Sequence, residues 1–248
     1  MRLHSDYFAV ATVGCARALA VLGLWSAAAH GLTVSPVLVE LSPARRVSSI
    51  TLSNPGDRAV SFQTQTLAWS HSDGIDRYED TSEIVVVPPI ADIAAGGSQI
   101  FRVMARAPKS AQERAYRLIF EDVSEVIAPA ASSNETSINI RVNHNLPVFI
   151  AAEGKPQSRL RAGACVAPLD PKRGCVRLEN DGNRYAQVKA LTIESGTWRQ
   201  QIQASSRVLA GAWRQWTFEV PDNVTGPLKV TADTRDGLVT AELPPTQR

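Results

Sequence analysis

The sequence is poor in cysteine and histidine, and it has no large excess of charge of either sign. Its 248 residues contain 3 cysteines and 4 histidines, and 26 Lys and Arg residues nearly balance 24 Asp and Glu residues, for a net charge of +2. This balance gives no indication of a nucleic-acid-binding protein, which needs a clustered basic surface. The hydrophobic share of 44% and the charged share of 20% are ordinary for a globular protein and argue against wholesale disorder.

The residue patterns of common enzymes and metal sites are also missing. Beyond the N-terminal 31 residues only His71, in a polar loop-like stretch, and His144 remain, and neither has a neighbouring ligand at metal-binding spacing. No nucleophile elbow, phosphate loop or glycine-rich nucleotide fingerprint occurs. We therefore expect no enzyme, no metal and no cofactor. A secreted hydrolase stays open as an alternative, because catalytic triads assemble from distant residues.

Long hydrophobic runs are absent, apart from one short run near the N-terminus. Two arginines precede the apolar segment Ala18–Trp25, and the small residues of Ser26–Gly31 follow it. This order is typical of a secretory signal peptide, and the run is too short to span a bilayer. We expect residues 1–31 to be removed and the mature chain to be exported without inserting into a membrane. The alternative is an uncleaved amphipathic N-terminus.

Two cysteines remain in the mature chain once Cys15 leaves with the signal peptide. Cys165 and Cys175 are ten residues apart, in a chain predicted to reach an oxidising compartment. Two cysteines alone are too few for a structural zinc site. We expect a structural disulfide between them, with two free thiols as the alternative.

The sequence of the mature chain predicts an all-β fold. Apolar and polar residues alternate in segments such as Val60–Gln65, which is typical of half-buried strands. Turn sequences recur between such segments, among them Asn54–Asp57, Asn180–Asn183 and Gly96–Ser98, the last interpreted as a hairpin turn. Strands at this spacing indicate two immunoglobulin-like β-sandwich domains. The polar stretch 151–158 places the boundary, giving domains at 32–152 and 153–248.

One segment is unusual in length and pattern. Ser137–Ala151 reads SINIRVNHNLPVFIA, and its apolar residues share one parity apart from His144. The pattern fits a central sandwich strand with an apolar inner face. The alternative is an edge strand that offers this face to another protein, since strand addition to an exposed edge is a known mode of recognition.

Further segments match a known family in their order and spacing. They are Leu32–Pro36, Ile50–Asn54, Thr66–Trp69, Val86–Ile90, Gly96–Val103, Ala115–Leu118, Leu146–Ile150 and Arg177–Gly182. With them the mature chain resembles the periplasmic pilus-assembly chaperones of the chaperone–usher pathway. Within this family, the sequence is most similar to the archaic, Csu-type or spore-coat-U-like branch in its motifs SPVLVEL, PPI and LPVFI.

This resemblance implies an L-shaped pair of immunoglobulin-like domains that works in the periplasm without a cofactor. Such a chaperone lends the last strand of its first domain to a fimbrial (pilin) subunit and passes the subunit to an outer-membrane usher. On this sequence the donated residues are Ile138, Ile140 and Val142, with Leu146 extending the set.

The sequence departs from the family at the site that anchors the pilin carboxylate. The resemblance implies an arginine on the first strand and a lysine near the end of the donor strand, but this chain has Leu38 and Pro147 there. A carboxylate in the cleft still needs a charged partner. Arg117 and Arg141 are the basic residues nearest to the cleft-lining strands, either as this anchor or as ordinary solvated arginines.

An exported two-domain adhesin or carbohydrate-binding module is the alternative function, because this type of sandwich serves many functions. Such a module would show exposed aromatic residues near loop tips. The candidates are Trp198, Trp213 and Trp216, and their strand-like surroundings favour core packing.

Overall fold

All the regular secondary structure described is β-strand, as expected. The computed structural model describes residues 31–125, 141–167, 170 and 173–244. The predicted signal peptide, except for Gly31, lies outside this part of the chain. None of the described residues forms a helix that could cross a membrane.

The first ten strands form two sheets. Their bounds are β1 (Thr33–Ser35), β2 (Val39–Leu41), β3 (Val47–Ser53), β4 (Val60–Ser72), β5 (Ile75–Asp80), β6 (Ile84–Val87), β7 (Ile90–Ile93), β8 (Ser98–Ala105), β9 (Arg114–Asp122) and β10 (His144–Ile150). One sheet has the order β1-β3-β8-β6, and the other has β2-β10-β9-β4-β5, with β7 also pairing with β4.

The remaining strands form two further sheets. They are β11 (Leu160–Ala164), β12 (Gly174–Asn180), β13 (Ala186–Ser195), β14 (Trp198–Val208), β15 (Trp213–Phe218), β16 (Leu228–Thr234) and β17 (Gly237–Leu243). Their orders are β11-β12-β15 and β14-β13-β16-β17. We call β1–β10 the first sandwich and β11–β17 the second sandwich.

Each sandwich buries its own apolar core. In the first, alternate residues such as Leu118 and Phe120 point inward and are fully buried. In the second, Val176 and Leu178 on β12 do the same against Val230 on β16. The alternation that predicted strands therefore also fixes which face of each strand is buried.

The two sandwiches repeat one turn. Asn54 directly follows β3 and Asn180 ends β12. Each donates its side-chain amide to the carbonyl of the arginine four residues later, Arg58 at 2.7 Å and Arg184 at 2.8 Å. Each side-chain oxygen accepts a bond from the glycine N–H two residues on. Both asparagines are nearly fully buried, so these turns are part of the cores.

Two local predictions differ in outcome. Cys165 and Cys175 form the predicted disulfide, with 5.0 Å between their Cα atoms. The turn at Gly96 is not a hairpin, because it joins β7, which pairs with β4 in one sheet, to β8, which belongs to the other. A turn sequence specifies a change of direction but not which sheet the next strand joins.

Candidate functional site

The strand β10 has an open edge along its first half. It pairs with β9 over its whole length, but it pairs with β2 only at Val148–Ile150. The N–H of Ala151 donates to Leu41 on this side, so the odd-numbered residues of β10 direct their backbone groups toward β2 and the open edge. Ahead of Val148, no strand of the described chain covers this side.

The predicted donor residues fall into three groups. Ile138 and Ile140 lie outside the described residues. Val142 precedes β10 and is 55% exposed. Leu146 is only 6% exposed and packs in the first core, so its side chain is occupied by its own sandwich.

His144 lies between the exposed and the buried members of this series. Its ring centroid is 6.4 Å from that of Phe62, and its Nε2 atom is buried without a hydrogen-bond partner. Burial lowers the pKa of His144, which keeps this ring neutral at neutral pH. Val142, His144 and Leu146 therefore share one face of the chain. This face is exposed at Val142 and buried at Leu146, with the neutral His144 between them.

Arg117 lies on the outer face of the same sheet, beside Pro147 in the β9–β10 register. Its guanidinium carbon is 3.9 Å from the ring centroid of Trp69 and 6.0 Å from that of Tyr78. Among the described residues it makes no ion pair, and its buried Nε has no partner. An arginine stacked on an aromatic ring with an unpaired guanidinium is suited to bind an anion.

Arg141 does not join Arg117. It precedes β10, is exposed, and donates to the carbonyl of Ser124 at 2.6 Å. The structure thus brings together Arg117 and Pro147, and leaves Arg141 at the other end of the open edge.

Leu38 packs at an apolar junction between the sandwiches. This junction consists of Trp69, Phe149, Tyr185 and Leu209, with Leu38 against it. The rings of Phe149 and Tyr185 stack with centroids 4.2 Å apart. The position at which the resemblance implied an arginine is therefore part of an apolar contact between the two sandwiches.

A polar cluster lies beside this junction and centres on Asp76. Its carboxylate accepts a hydrogen bond from the Trp69 indole at 2.7 Å and another from Arg214 of the second sandwich. Although burial opposes the shift, the bonds from Arg214 and Trp69 lower the pKa of Asp76, so this carboxylate stays ionised. His71 Nε2 lies 3.0 Å from the same oxygen.

The sequence interpretation missed this cluster and misplaced His71. His71 lies at the end of β4 with its side chain 1% exposed, not in a loop. Burial, and then the charge of Arg214, lower its pKa, so the ring is neutral at neutral pH. The sequence Asp73-Gly74 could have revealed the pair, because a two-residue hairpin turn there sets His71 opposite Asp76.

Glu113 occupies the other side of the junction. Its carboxylate accepts a hydrogen bond from the backbone N–H of Tyr185 at 2.7 Å, and cavities of about 330 and 210 Å³ border it. Burial raises the pKa of Glu113 to about 7. No group of three or more potential metal ligands occurs in the described part of the chain.

The three candidate tryptophans differ in their surroundings. Trp198 and Trp216 are partly buried against the core of the second sandwich. Trp213 instead contacts Gly74 of the first sandwich on one side, and Arg177 stacks over its ring at 3.9 Å. Core packing, predicted for all three, holds for two of them.

The N-terminal half of the chain matches a known protein family. The model of the family described as pili and flagellar-assembly chaperone, PapD N-terminal domain, matches residues 31–155. No curated protein sequence matches.

Among solved structures, one similar chain is in the CsuC–CsuE chaperone–tip adhesion subunit pre-assembly complex from archaic Csu pili of Acinetobacter baumannii. It has 18% identity and a TM-score of 0.65, over 86% of this chain and 98% of that chain. The Salmonella enterica SafA pilin–SafB chaperone complex contains a chain with 14% identity and a TM-score of 0.58, over 85% of this chain and 95% of that chain. The E. coli chaperone DraB has 16% identity and a TM-score of 0.57, over 86% of this chain and 97% of that chain. At these identities the likeness concerns the fold.

Proposed function

Because this chain belongs to the family of pili and flagellar-assembly chaperones, we propose that it caps fimbrial subunits by donor-strand complementation and delivers them to an outer-membrane usher. The family is one of periplasmic chaperones and not a class of enzymes. We accordingly propose that residues 1–31 are a signal peptide and that the mature chain acts without catalysis. Its separate cores support domains at 32–152 and 153–248.

The observation that carries the proposal is the open edge of β10, continued upstream by exposed Val142. An unpaired edge preceded by alternating apolar residues can complete a sandwich that lacks a strand. The donated side chains are Ile138, Ile140 and Val142. Leu146 is not among them, since it is already buried in the first core. Burial of each donated residue stabilises the complex by about 1.5–3 kcal/mol.

The end of the open edge suggests where the subunit terminates. Pro147 has no backbone N–H, so a strand paired along this edge loses its hydrogen-bond donor there. Arg117 is the cross-strand neighbour of Pro147 and has no ion-pair partner among the described residues. Arg117 lies on β9, one strand inward from the open edge, so a subunit whose chain ends beside Pro147 would cross the outer face of β10 to bring its terminal carboxylate to the guanidinium.

The first experiment is a periplasmic pull-down of the tagged mature chain, with mass spectrometry of the proteins that co-elute. We expect a stoichiometric small exported subunit with the wild type and none with Ile140→Asp. The matched control is Ile100→Asp, which places the same charge at an isoleucine that is 55% exposed on β8, away from the open edge. If Ile140→Asp retains the subunit as well as Ile100→Asp does, strand donation at this residue is wrong.

The second experiment tests the anchor. Arg117→Met keeps the packing on Trp69 but removes the charge, and a charge-assisted bond of about 1.5–3 kcal/mol corresponds to an affinity loss of about tenfold to a hundredfold. Arg199→Met is the control, since Arg199 is 67% exposed on the β13–β14 hairpin of the second sandwich, and it should bind the subunit like the wild type. Unchanged affinity of Arg117→Met would remove Arg117 from the site.

A further inference from the structure

We propose that Asp76 and Arg214 are positioning residues for Arg117, acting through Trp69, so that the second sandwich orients the carboxylate anchor of the first. This inference deepens the proposed function and rests on it. It is carried by one continuous series of side-chain contacts that crosses between the sandwiches.

The series begins at the anchor. The Arg117 guanidinium stacks on the Trp69 ring at 3.9 Å, and its orientation depends on that ring because Arg117 has no ion pair with any described residue. The Trp69 indole N–H donates to Asp76 Oδ1 at 2.7 Å. Since the ring turns with its N–H, this bond fixes the plane on which Arg117 lies.

The series continues into the second sandwich. Arg214 Nη2 donates to the same Asp76 oxygen, and Arg214 Nε donates to the carbonyl of Arg207 at 3.1 Å. His71 Nε2 lies 3.3 Å from Arg214 Nη2 and closes the cluster from β4. The carboxylate of Asp76 is thus shared by the tryptophan of one sandwich and the arginine of the other.

A second contact holds the same hairpin against the second sandwich. Gly74, in the turn between β4 and β5, lies against the Trp213 ring, and a Cβ atom at this position would come within 2.5 Å of it. Arg177 covers the Trp213 ring from the second sandwich at 3.9 Å. The β4–β5 hairpin therefore spans the junction, and Asp76 within it carries the connection to Trp69.

The consequence is that the anchor depends on residues that do not touch the subunit. Loss of Arg214 leaves Asp76 without its charged partner and frees the Trp69 indole to reorient. Arg117 would then lose its fixed position, and affinity for a terminal carboxylate would fall. The expected loss is about threefold to tenfold, in the lower part of the range for coupled neighbours.

The direct test is the Arg117 Nε–Hε resonance of the ¹⁵N-arginine-labelled mature chain, assigned by its loss in Arg117→Lys. Because the guanidinium stacks on the Trp69 ring at 3.9 Å, we expect the ring current to shift this proton strongly in the wild type. We expect Arg214→Met and Asp76→Asn, two variants that preserve side-chain size, to move it toward the position of an unstacked arginine. Arg199→Met is the control, since Arg199 is 67% exposed and pairs with Glu194 on a surface hairpin. An unmoved resonance in both test variants overturns the inference, even if the subunit binds.

The second test is a double-mutant cycle with the subunit that co-purifies in the pull-down. Arg214→Met should weaken binding about threefold to tenfold when Arg117 is present, and not at all in the Arg117→Met background. Equal losses in both backgrounds overturn the inference while leaving the anchor intact. If Arg117→Met alone binds normally, the anchor itself is wrong, which is a failure of the proposed function.

Discussion

Substitution of Asn180 tests how the second sandwich is held together. Asn180 is 1% exposed, and its side chain makes four hydrogen bonds to backbone groups. Its amide donates to the carbonyls of Arg184 at 2.8 Å and Val208 at 3.0 Å. Its oxygen accepts from the N–H groups of Arg159 at 3.1 Å and Gly182 at 3.0 Å.

Asn180→Ala removes all four bonds and leaves their backbone partners unsatisfied in a site closed to water. Each lost bond costs about 1 kcal/mol, so we expect a decrease of about 3–5 kcal/mol in the free energy of unfolding. This is a large fraction of a total stability of about 5–15 kcal/mol. The loss should appear in the unfolding of the second sandwich.

The assay is urea unfolding of the mature chain, followed by circular dichroism, with Asn183→Ala as the matched control. Asn183 lies three residues later and makes two side-chain bonds near solvent, at 2.8 Å and 3.2 Å, so its removal should cost about 1 kcal/mol or less. If the two alanine variants lose equal stability, the assignment of Asn180 as a core turn residue is refuted.

Two further predictions concern stability. Because burial raises the pKa of Glu113 from 4.5 to about 7, its contribution to stability is present below about pH 4.5 and is lost as the pH rises through 7. In urea unfolding, the free energy of unfolding of Glu113→Gln should therefore rise by about 1–3 kcal/mol relative to that of the wild type between pH 5 and pH 8. A stability difference between the two proteins that is the same at both pH values would contradict this. Cys175→Ser opens the loop closed by Cys165 and should cost about 2–3 kcal/mol. A variant with wild-type stability would show that the disulfide contributes nothing.

Local features of this chain were predictable from its sequence, because neighbouring residues determine them. Alternation around Phe120 predicted strands, and the spacing of Cys165 and Cys175, in a chain expected to be exported, predicted their bond. Leu146 shares its parity with Val142 but is buried in the first core, because parity does not reveal where a strand passes from an exposed edge into a core.

The junction between the sandwiches could not be predicted in the same way. Asp76 and Arg214 are 138 residues apart, and no local pattern connects them. Their contact depends on how two separately folded sandwiches pack, which a single sequence does not specify. The resemblance also gave no replacement for the arginine expected at Leu38, since the anchor proposed here uses β9 instead.

The most direct test of strand donation is hydrogen–deuterium exchange of the mature chain, free and in complex with the subunit that co-purifies with it. The account predicts new protection in peptides covering residues 138–146, and unchanged exchange in β3 and β8 of the opposite sheet. Protection elsewhere, with residues 138–146 exchanging as fast as in the free chain, would contradict the claim that this edge is lent to the subunit.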